Sequence, residues 1–232
     1  RKTKNMNEIA IVGLGASYAD FIAARVNSKK FDEIWGINSI GGIIHVDRTI
    51  MMDPVSRFLD TKNAGTQTEI AREFLKNNKK PIYTCELDKR VKHLVKYPLA
   101  DVVKDTGLCY FNNTVPYAIA LAIHEKVNKI NLYGIDYSYM HNLHMAEAGR
   151  ACTEFWLAVA INRGMQIEVA HRSNLLDTNV PDEEKLYGYH RLDDPLVQTI
   201  NKGVLEVSRQ SELSSPEPQD KTPILFGRHD HV

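Results

Sequence analysis

The segment IAIVGLGAS, residues 9–17, decides the fold of this chain. Its apolar residues at 9–12 predict a buried β-strand, and the pattern that follows predicts a helix from Ser17 to Val26 with Ser17 as its N-cap. Glycines in such a turn let the backbone approach a ligand closely, and free N–H groups at the start of the helix attract phosphate. A strand, a glycine-rich turn and a helix in this order therefore predict a phosphate site. The residues predicted to bind there are Gly13, Gly15, Ala16 and Ser17.

Short apolar runs alternate with helical patterns along the rest of the chain, which is typical of a parallel sheet with crossover helices. The further predicted strands are residues 33–37, 49–52, 81–85, 129–133 and 166–169. The further predicted helices are 66–76 with Thr66 and Glu69 as a capping box, 116–125 with Pro116 in its first turn, and 146–163, ended by Gly164. The predicted fold class is α/β: a Rossmann-like, mostly parallel sheet with helices on both faces, in a single domain with an extended C-terminal tail.

The composition changes after about Leu205 to Ser, Glu, Pro and Gln. We therefore place a Rossmann-like nucleotide-binding domain at residues 6–204 and an extended tail at residues 205–232. A segment rich in Pro and Ser does not order by itself, so we expect this tail to dock on a neighbouring subunit and the chain to form a homo-oligomer.

The charge balance of the chain limits its possible binding partners, and its cysteine content indicates the cellular compartment. The chain has 29 basic and 29 acidic residues, so as a whole it offers no field to attract nucleic acid or an anionic membrane. Its three cysteines are widely spaced, which favours the reduced thiols of a cytoplasmic protein over a disulfide framework. No apolar run is long enough to span a membrane, and we expect a cytoplasmic protein.

The end of the second predicted strand argues against NAD as the ligand. A complete dinucleotide fingerprint has a third glycine where Tyr18 stands, and an acidic residue after the second strand. Here that strand ends in Asn38, whose amide can bond to a ribose or a base. Two interpretations stay open: a site for another nucleotide, which we favour, and a glycine-rich turn that binds no ligand.

Polar and aromatic residues follow a later strand and precede a later helix. Gly134, Asp136 and Tyr137 come directly after the strand at 129–133, and Asn112 and Asn113 precede the helix at 116–125. Because ligands of open α/β sheets bind at the carboxyl ends of strands, we expect both groups to face the same crevice as the glycine-rich turn. The alternative is structural, with the aspartate capping its loop and the asparagines making a turn.

Two histidines, His141 and His144, come shortly after this loop and are candidates for a general base. Their spacing with Glu147 also suggests a metal on one helix face, but no second group of ligands accompanies them. We therefore predict no metal site formed by these residues.

The order of these motifs resembles the bacterial sialyltransferases that act on lipooligosaccharide. More loosely, it resembles archaeal hydroxymethylpterin diphosphokinases and related motility-associated transferases. The resemblance covers roughly residues 8 to 177 as short colinear motifs. These are Gly13-Leu14-Gly15-Ala16-Ser17, Asn38, Phe111-Asn112, Gly134-Ile135-Asp136-Tyr137, His141 or His144, and Ser173-Asn174-Leu175-Leu176.

The resemblance implies a Rossmann-like sheet, a nucleotide-sugar donor, no tightly bound cofactor or metal, and a histidine as the base. It assigns the catalytic roles to His144, His141 and Asp136. The implied donor-binding residues are Gly13, Gly15, Ala16, Ser17, Asn38, Asn112, Asn113, Gly134, Tyr137, Ser173 and Asn174. Leu14 and Ala16 stand where the family commonly has Asn and Pro, so the donor need not be a cytidine sugar.

The function predicted from these motifs is a glycosyltransferase that uses a nucleotide-activated sugar. Three classes of acceptor are compatible with these motifs: a glycan, a small molecule, and a hydroxymethylated base in nucleic acid. One alternative is an ATP-dependent diphosphokinase of a hydroxymethyl compound, in which Asp53 and Asp136 hold magnesium. The other is a nucleotide-binding or sensing protein without catalysis.

Overall fold

A parallel sheet of seven strands forms the centre of the chain's first 180 residues. The structure is a computed structural model and describes residues 6–62, 64–65, 68–138, 142–188, 196–209 and 212. The strands are β1 (Glu8–Val12), β2 (Glu33–Ile37), β3 (Arg48–Ile50), β4 (Ile82–Thr84), β5 (Leu94–Lys96), β6 (Lys129–Tyr133) and β7 (Gln166–Val169). Their order across the sheet is β5-β4-β3-β2-β1-β6-β7, and every neighbouring pair is parallel.

Six helices connect these strands. They are α1 (Tyr18–Val26), α2 (Val55–Asp60), α3 (Thr68–Asn77), α4 (Leu99–Thr106), α5 (Thr114–His124) and α6 (Leu143–Asn162). The described residues also form three short 3-10 helices, Asn38–Gly42, Leu175–Asp177 and Asp182–Lys185. No helix in the described part of the chain has the length and apolar character needed to cross a membrane.

The central strand β1 is buried on both faces of the sheet. Ile9 and Ile11 pack into the large core with α5 and α6, whereas Ala10 and Val12 pack into a second core with Phe21 of α1. Alternate side chains of a strand point to opposite faces, so helices must cover the sheet on both sides. This arrangement confirms the predicted Rossmann-like α/β fold.

The strand order places a topological switch point between β1 and β6. From β1 the chain builds outward through β2, β3, β4 and β5, then crosses back to place β6 on the other side of β1. The helices that follow β1 and β6 therefore pack on opposite faces of the sheet, and a crevice opens at the carboxyl ends of these strands.

Two helices begin earlier than the sequence pattern predicts, because asparagines cap them. Helix α5 begins at Thr114 instead of Pro116, since the Asn113 side chain accepts a hydrogen bond from the Val115 N–H. Helix α6 begins at Leu143 instead of residue 146, since Asn142 caps it in the same way.

The sequence patterns did not predict three elements that the structure contains: helices α2 and α4 and strand β5. The capping residue Thr66 lies outside the described residues.

The chain divides into two units between Val180 and Pro181. The second unit contains a hairpin of the antiparallel strands β8 (Leu196–Asn201) and β9 (Val204–Arg209). The boundary predicted between residues 204 and 205 falls inside β9. Of the predicted tail, residues 210–211 and 213–232 lie outside the described residues, and the docking on a neighbouring subunit stays a prediction.

Candidate functional site

A cavity of about 690 Å³ lies at the carboxyl ends of the central strands, and we call it the switch-point cavity. Its walls come from the loops after β1, β2, β3 and β6, from the start of α5, and from the first turn of α6. Its described lining residues are Gly13, Leu14, Gly15, Ile37, Asn38, Met52, Asp53, Pro54, Phe111, Asn112, Asn113, Thr114, Val115, Tyr117, Gly134, Ile135, Asp136, Tyr137, Ser138 and Met145. The structure thus brings together the glycine-rich turn, the loop after β6 and the segment before α5, which the sequence analysis expects in one crevice, and Asn38 after β2 lies with them.

The two loops at the switch point are in close contact through their glycines. The Gly15 N–H donates a hydrogen bond of 2.8 Å to the Gly134 carbonyl oxygen. A Cβ on Gly13 would lie 2.5 Å from that same oxygen, and a Cβ on Gly15 would lie 2.6 Å from the Asp136 Oδ2 atom. Gly134 has a φ of +65°, in the left-handed region that favours glycine. Contact between the loops therefore requires these glycines, independently of any ligand.

The Asp136 carboxylate occupies the positive end of helix α1. Its Oδ2 atom accepts a hydrogen bond of 2.6 Å from the Ser17 N–H, and its Oδ1 atom accepts one from the Ser17 hydroxyl. The Ser17 hydroxyl in turn accepts a hydrogen bond of 2.8 Å from the Gly134 N–H. A carboxylate at a helix N-terminus stabilises the helix dipole, as a bound phosphate does. The protein thus supplies its own anion where the sequence predicts a ligand phosphate.

Two residues of the predicted phosphate turn therefore differ from expectation. Ser17 is fully buried, and its side chain makes no capping hydrogen bond to α1, because its hydroxyl binds Asp136 instead. Ser17 is the N-cap residue of α1, as predicted, but its side chain does not make the capping hydrogen bond that such a residue usually makes. Ala16 is exposed and does not belong to the lining of the cavity, nor does Ser17.

Asn38 lies where the chain leaves β2 and lines the cavity. Its φ of +54° is a left-handed conformation, which asparagine adopts more readily than most residues. Its Oδ1 atom is buried and has no hydrogen-bond partner among the described residues. A buried acceptor without a partner is unfavourable, so this atom is suited to receive an N–H or O–H group from a ligand.

The side chains of Asn112, Asn113 and Tyr137 join the cavity wall to helix α6. Asn112 donates to the Ala148 carbonyl oxygen at 2.8 Å. The Asn113 Oδ1 atom accepts from the Tyr137 hydroxyl at 3.1 Å, and that hydroxyl also contacts the Thr153 hydroxyl. These bonds use much of the polar capacity of the three side chains. They fix the N-terminus of α5 at the cavity wall.

The side chains of Ser173 and Asn174 bind the backbone of the loop after β6, and neither residue lines the cavity. The Ser173 hydroxyl donates to the Ile135 carbonyl oxygen at 2.7 Å. The Asn174 Oδ1 atom accepts from the Tyr137 N–H at 3.2 Å, and its Nδ2 group donates to the Tyr137 carbonyl oxygen. The resemblance assigns these two residues to the donor, whereas in the structure Ser173 holds Ile135 and Asn174 positions Tyr137.

The two candidate bases are placed differently. His144 lies in the first turn of α6, is exposed, and is not a lining residue, although its neighbour Met145 is one. His141 lies outside the described residues.

The sequence analysis names Asp53 only as a magnesium ligand of the diphosphokinase alternative and Phe111 only as part of a motif, and it does not name Tyr117. Asp53 follows β3, whose carboxyl end lies at the same edge of the sheet, so strand position was a usable signal for a role in the site. Phe111 stacks on Tyr117 with a centroid separation of 4.3 Å, and both rings line the cavity. Burial raises the pKa of Tyr117, so its hydroxyl stays protonated near neutral pH.

The charges that line the cavity are negative. Among its described lining residues, only Asp53 and Asp136 are charged. The Asp53 Oδ1 atom accepts a bond of 2.6 Å from the Arg57 guanidinium. Within the described parts of the chain, no three His, Cys, Asp or Glu side chains are grouped so as to hold a metal ion.

Comparison of this chain with known proteins finds solved structures that are similar to it. No protein-family model and no curated protein matches the chain. A structure of the Campylobacter jejuni sialyltransferase CstII with the substrate analogue CMP-3FNeuAc is 17% identical, with a TM-score of 0.49, covering 74% of this chain and 83% of that one. A CST-II structure with a trisaccharide acceptor and CMP is 15% identical, with a TM-score of 0.47, covering 73% and 83% respectively.

These neighbours are sialyltransferases, the group that the motif order resembles, and the archaeal part of the resemblance stays a prediction. Because the TM-scores lie below 0.5, we derive function from this chain's own residues.

Proposed function

We propose that the chain is a glycosyltransferase-like enzyme that binds a nucleotide-activated sugar in the switch-point cavity. The observation that carries this proposal is the cavity itself, which lies at the topological switch point where open α/β sheets bind ligands. Its volume of about 690 Å³ suits a small-molecule ligand. Its lining combines amide groups with aromatic rings, which suit the hydrogen-bonding edges and flat faces of a nucleoside.

The donor phosphate is expected at the N-terminus of α5. The positive end of α1 already holds the charged carboxylate of Asp136, whereas α5 begins at the cavity wall and is capped by the neutral side chain of Asn113. Helix dipoles and oriented N–H groups favour a negative charge there, including the charge that develops on a departing phosphate. Asn38 would then bind the ribose or the base.

His144 or His141 would accept the proton of the acceptor hydroxyl as it attacks the anomeric carbon. His144 lies next to Met145 of the cavity wall. The proposal does not choose among three classes of acceptor: a glycan, a small molecule, and a hydroxymethylated base in nucleic acid. The proposed protein works in the cytoplasm as a homo-oligomer and holds no cofactor tightly.

A diphosphokinase is the second candidate, because Asp53 and Asp136 line one cavity and could bind a divalent cation together. Both Asp136 oxygens already accept hydrogen bonds from Ser17, which weighs against this function. A third candidate binds a nucleotide without turnover.

Thermal unfolding with a panel of cytidine, uridine, guanosine and adenosine nucleotides tests the proposal. A ligand at one hundred times its Kd stabilises a protein by about 2.7 kcal/mol, which corresponds to a rise in Tm of roughly 5–10 °C for this chain length. Turnover of the matching nucleotide sugar, measured with and without magnesium, separates the candidates. Transfer without magnesium supports the glycosyltransferase, transfer of diphosphate from ATP supports the kinase, and binding without turnover supports the sensor.

A further inference from the structure

A smaller cavity lies beside the switch-point cavity and shares two lining residues with it. This second cavity has a volume of about 230 Å³ and lies against α2 and α3. Asn38 and Asp53 line both cavities, so they stand at the junction between them. A ligand that extends from one cavity into the other must pass these two side chains.

The two carboxylates of the switch-point cavity differ in their free acceptor capacity. Asp136 uses Oδ2 for the Ser17 N–H and Oδ1 for the Ser17 hydroxyl. Asp53 uses only Oδ1, which accepts from Arg57 at 2.6 Å. Its Oδ2 atom has no partner among the described residues. Of the two, Asp53 therefore has a carboxylate oxygen available for a ligand.

Asn38 and Asp53 each have an oxygen atom that can accept a hydrogen bond, so a ligand that binds both needs two hydrogen-bond donors. Asn38 contributes its buried, unpartnered Oδ1 atom, and Asp53 contributes its free Oδ2 atom. An ionised carboxylate can only accept hydrogen bonds, and bonds to a charged acceptor are stronger than neutral ones. Two neighbouring hydroxyl groups supply the required donors.

We propose that Asp53 is a specificity-determining residue that binds one hydroxyl of a vicinal diol in the ligand, with Asn38 binding the other. Arg57 positions the carboxylate by holding its Oδ1 atom, which leaves Oδ2 directed to the ligand. The inference rests on the proposed function, because a nucleotide sugar carries vicinal diols in its ribose and in many sugars.

Calorimetric titration of Asp53→Asn with matched ligands tests this role. CMP and 2′-deoxyCMP differ in the ribose diol, and UDP-glucose and UDP differ in the sugar. The variant keeps the shape of the side chain and removes its charge. UDP keeps its ribose diol, so the first pair tests the ribose diol and the second tests the hydroxyls of the sugar. We expect at least a tenfold loss of affinity for either CMP or UDP-glucose, and less than a twofold change for the other member of the same pair.

Two variants serve as comparisons. Asp60→Asn removes a similar exposed bond, from Asp60 to Arg90, without touching either cavity, and should bind every probe as the wild type does. Arg57→Gln keeps the carboxylate and should lose less affinity than Asp53→Asn. Equal losses with both members of each pair, or equal losses in Asp53→Asn and Arg57→Gln, would overturn the inference.

A measurement without nucleotides separates this inference from the proposed function. Saturation-transfer NMR with D-ribose and 2-deoxy-D-ribose detects weak binding of the diol alone. If no nucleotide binds the wild type, the proposed function fails, while ribose contact that is lost in Asp53→Asn still supports the diol site. If the wild type contacts neither ribose nor any diol-bearing nucleotide, the role of Asp53 is wrong.

Discussion

The carboxylate of Asp136 accepts hydrogen bonds from both the backbone and the side chain of Ser17, a residue 119 positions earlier in the sequence. The pair joins the loop after β6 to the first turn of α1 across the switch point. Ser17 is fully buried, so neither of its donors can turn to water if the carboxylate is removed. Because the pair places a carboxylate at the start of α1, we propose the donor phosphate at the start of α5 instead.

Replacing Asp136 with Asn should destabilise the fold. The amide keeps the shape but loses the charge that complements the helix dipole, and it leaves a buried Ser17 donor poorly bonded. We expect a loss of about 1–3 kcal/mol in the free energy of unfolding, measured by urea denaturation. Asp20→Asn removes a charge in the first turn of α1 and its bonds to Arg172, and serves as the comparison with a smaller expected loss of about 0.3–1 kcal/mol. A loss below about 0.3 kcal/mol in Asp136→Asn would contradict the role of this pair.

Replacing Gly15 with Val should lower stability as well as ligand binding. A Cβ at Gly15 would lie 2.6 Å from the Asp136 carboxylate, so the side chain must displace that group. We expect a loss of about 1–3 kcal/mol, typical of overpacking. Gly42→Ala is a milder comparison and should cost less, because its Cβ would lie 3.2 Å from the Phe74 Cβ atom, a tight contact that a shift of a few tenths of an ångström relieves. A Gly15→Val protein with wild-type unfolding would show that the loops do not need this contact.

Stability should fall in acid through a charge network at the amino end of the sheet. Burial alone would raise the pKa of Glu168, but hydrogen bonds from Lys129 and Lys29 outweigh it and hold the pKa below its ordinary value of 4.5. A carboxyl whose pKa is lowered by folding stabilises the protein above the unfolded value and loses that contribution as the pH falls through the folded value. Glu168→Gln should therefore reduce the loss of Tm below about pH 4.5, compared with the wild type. Identical acid profiles would exclude this network as a cause.

The proposed role of His144 as the general base predicts an effect on the rate of transfer and not on donor binding. Replacing His144 with Ala should lower the rate of transfer by about 10²–10⁴ while nucleotide affinity stays near that of the wild type, since a general base acts in the transition state. The same change at His141 should act mainly on the KM of the acceptor. Steady-state kinetics with a verified donor and acceptor measures both effects. Full turnover in His144→Ala would remove this residue from catalysis.

Local patterns predicted the strands that form the centre of the sheet. The apolar runs at β1 and β6 fixed their positions within a residue, because buried parallel strands are apolar on both faces. Shorter elements such as β5, and the six-residue helix α2, escaped prediction because they have few buried positions and no strong capping signal.

The site was only partly predictable, because its bonds join residues far apart in the sequence. Strand ends placed Gly13, Asn38 and Asp136 in one cavity. No local pattern could show that Ser17 pairs with Asp136, since that bond depends on β1 lying next to β6. The same holds for Asn174, whose amide binds the backbone of a loop 37 residues earlier.

The affinity of Asn38→Gly for nucleotides tests the central claim most directly. Glycine adopts the φ of +54° without strain, and the change removes an acceptor that has no partner among the described residues, so the free protein should unfold at or above the wild-type temperature. Isothermal titration with the nucleotide that raises Tm most should show at least a tenfold weaker Kd in this variant. Asn162→Ala, an exposed change at the end of α6, should leave Kd unchanged. Wild-type affinity in a folded Asn38→Gly protein would contradict the claim that the switch-point cavity is the nucleotide site.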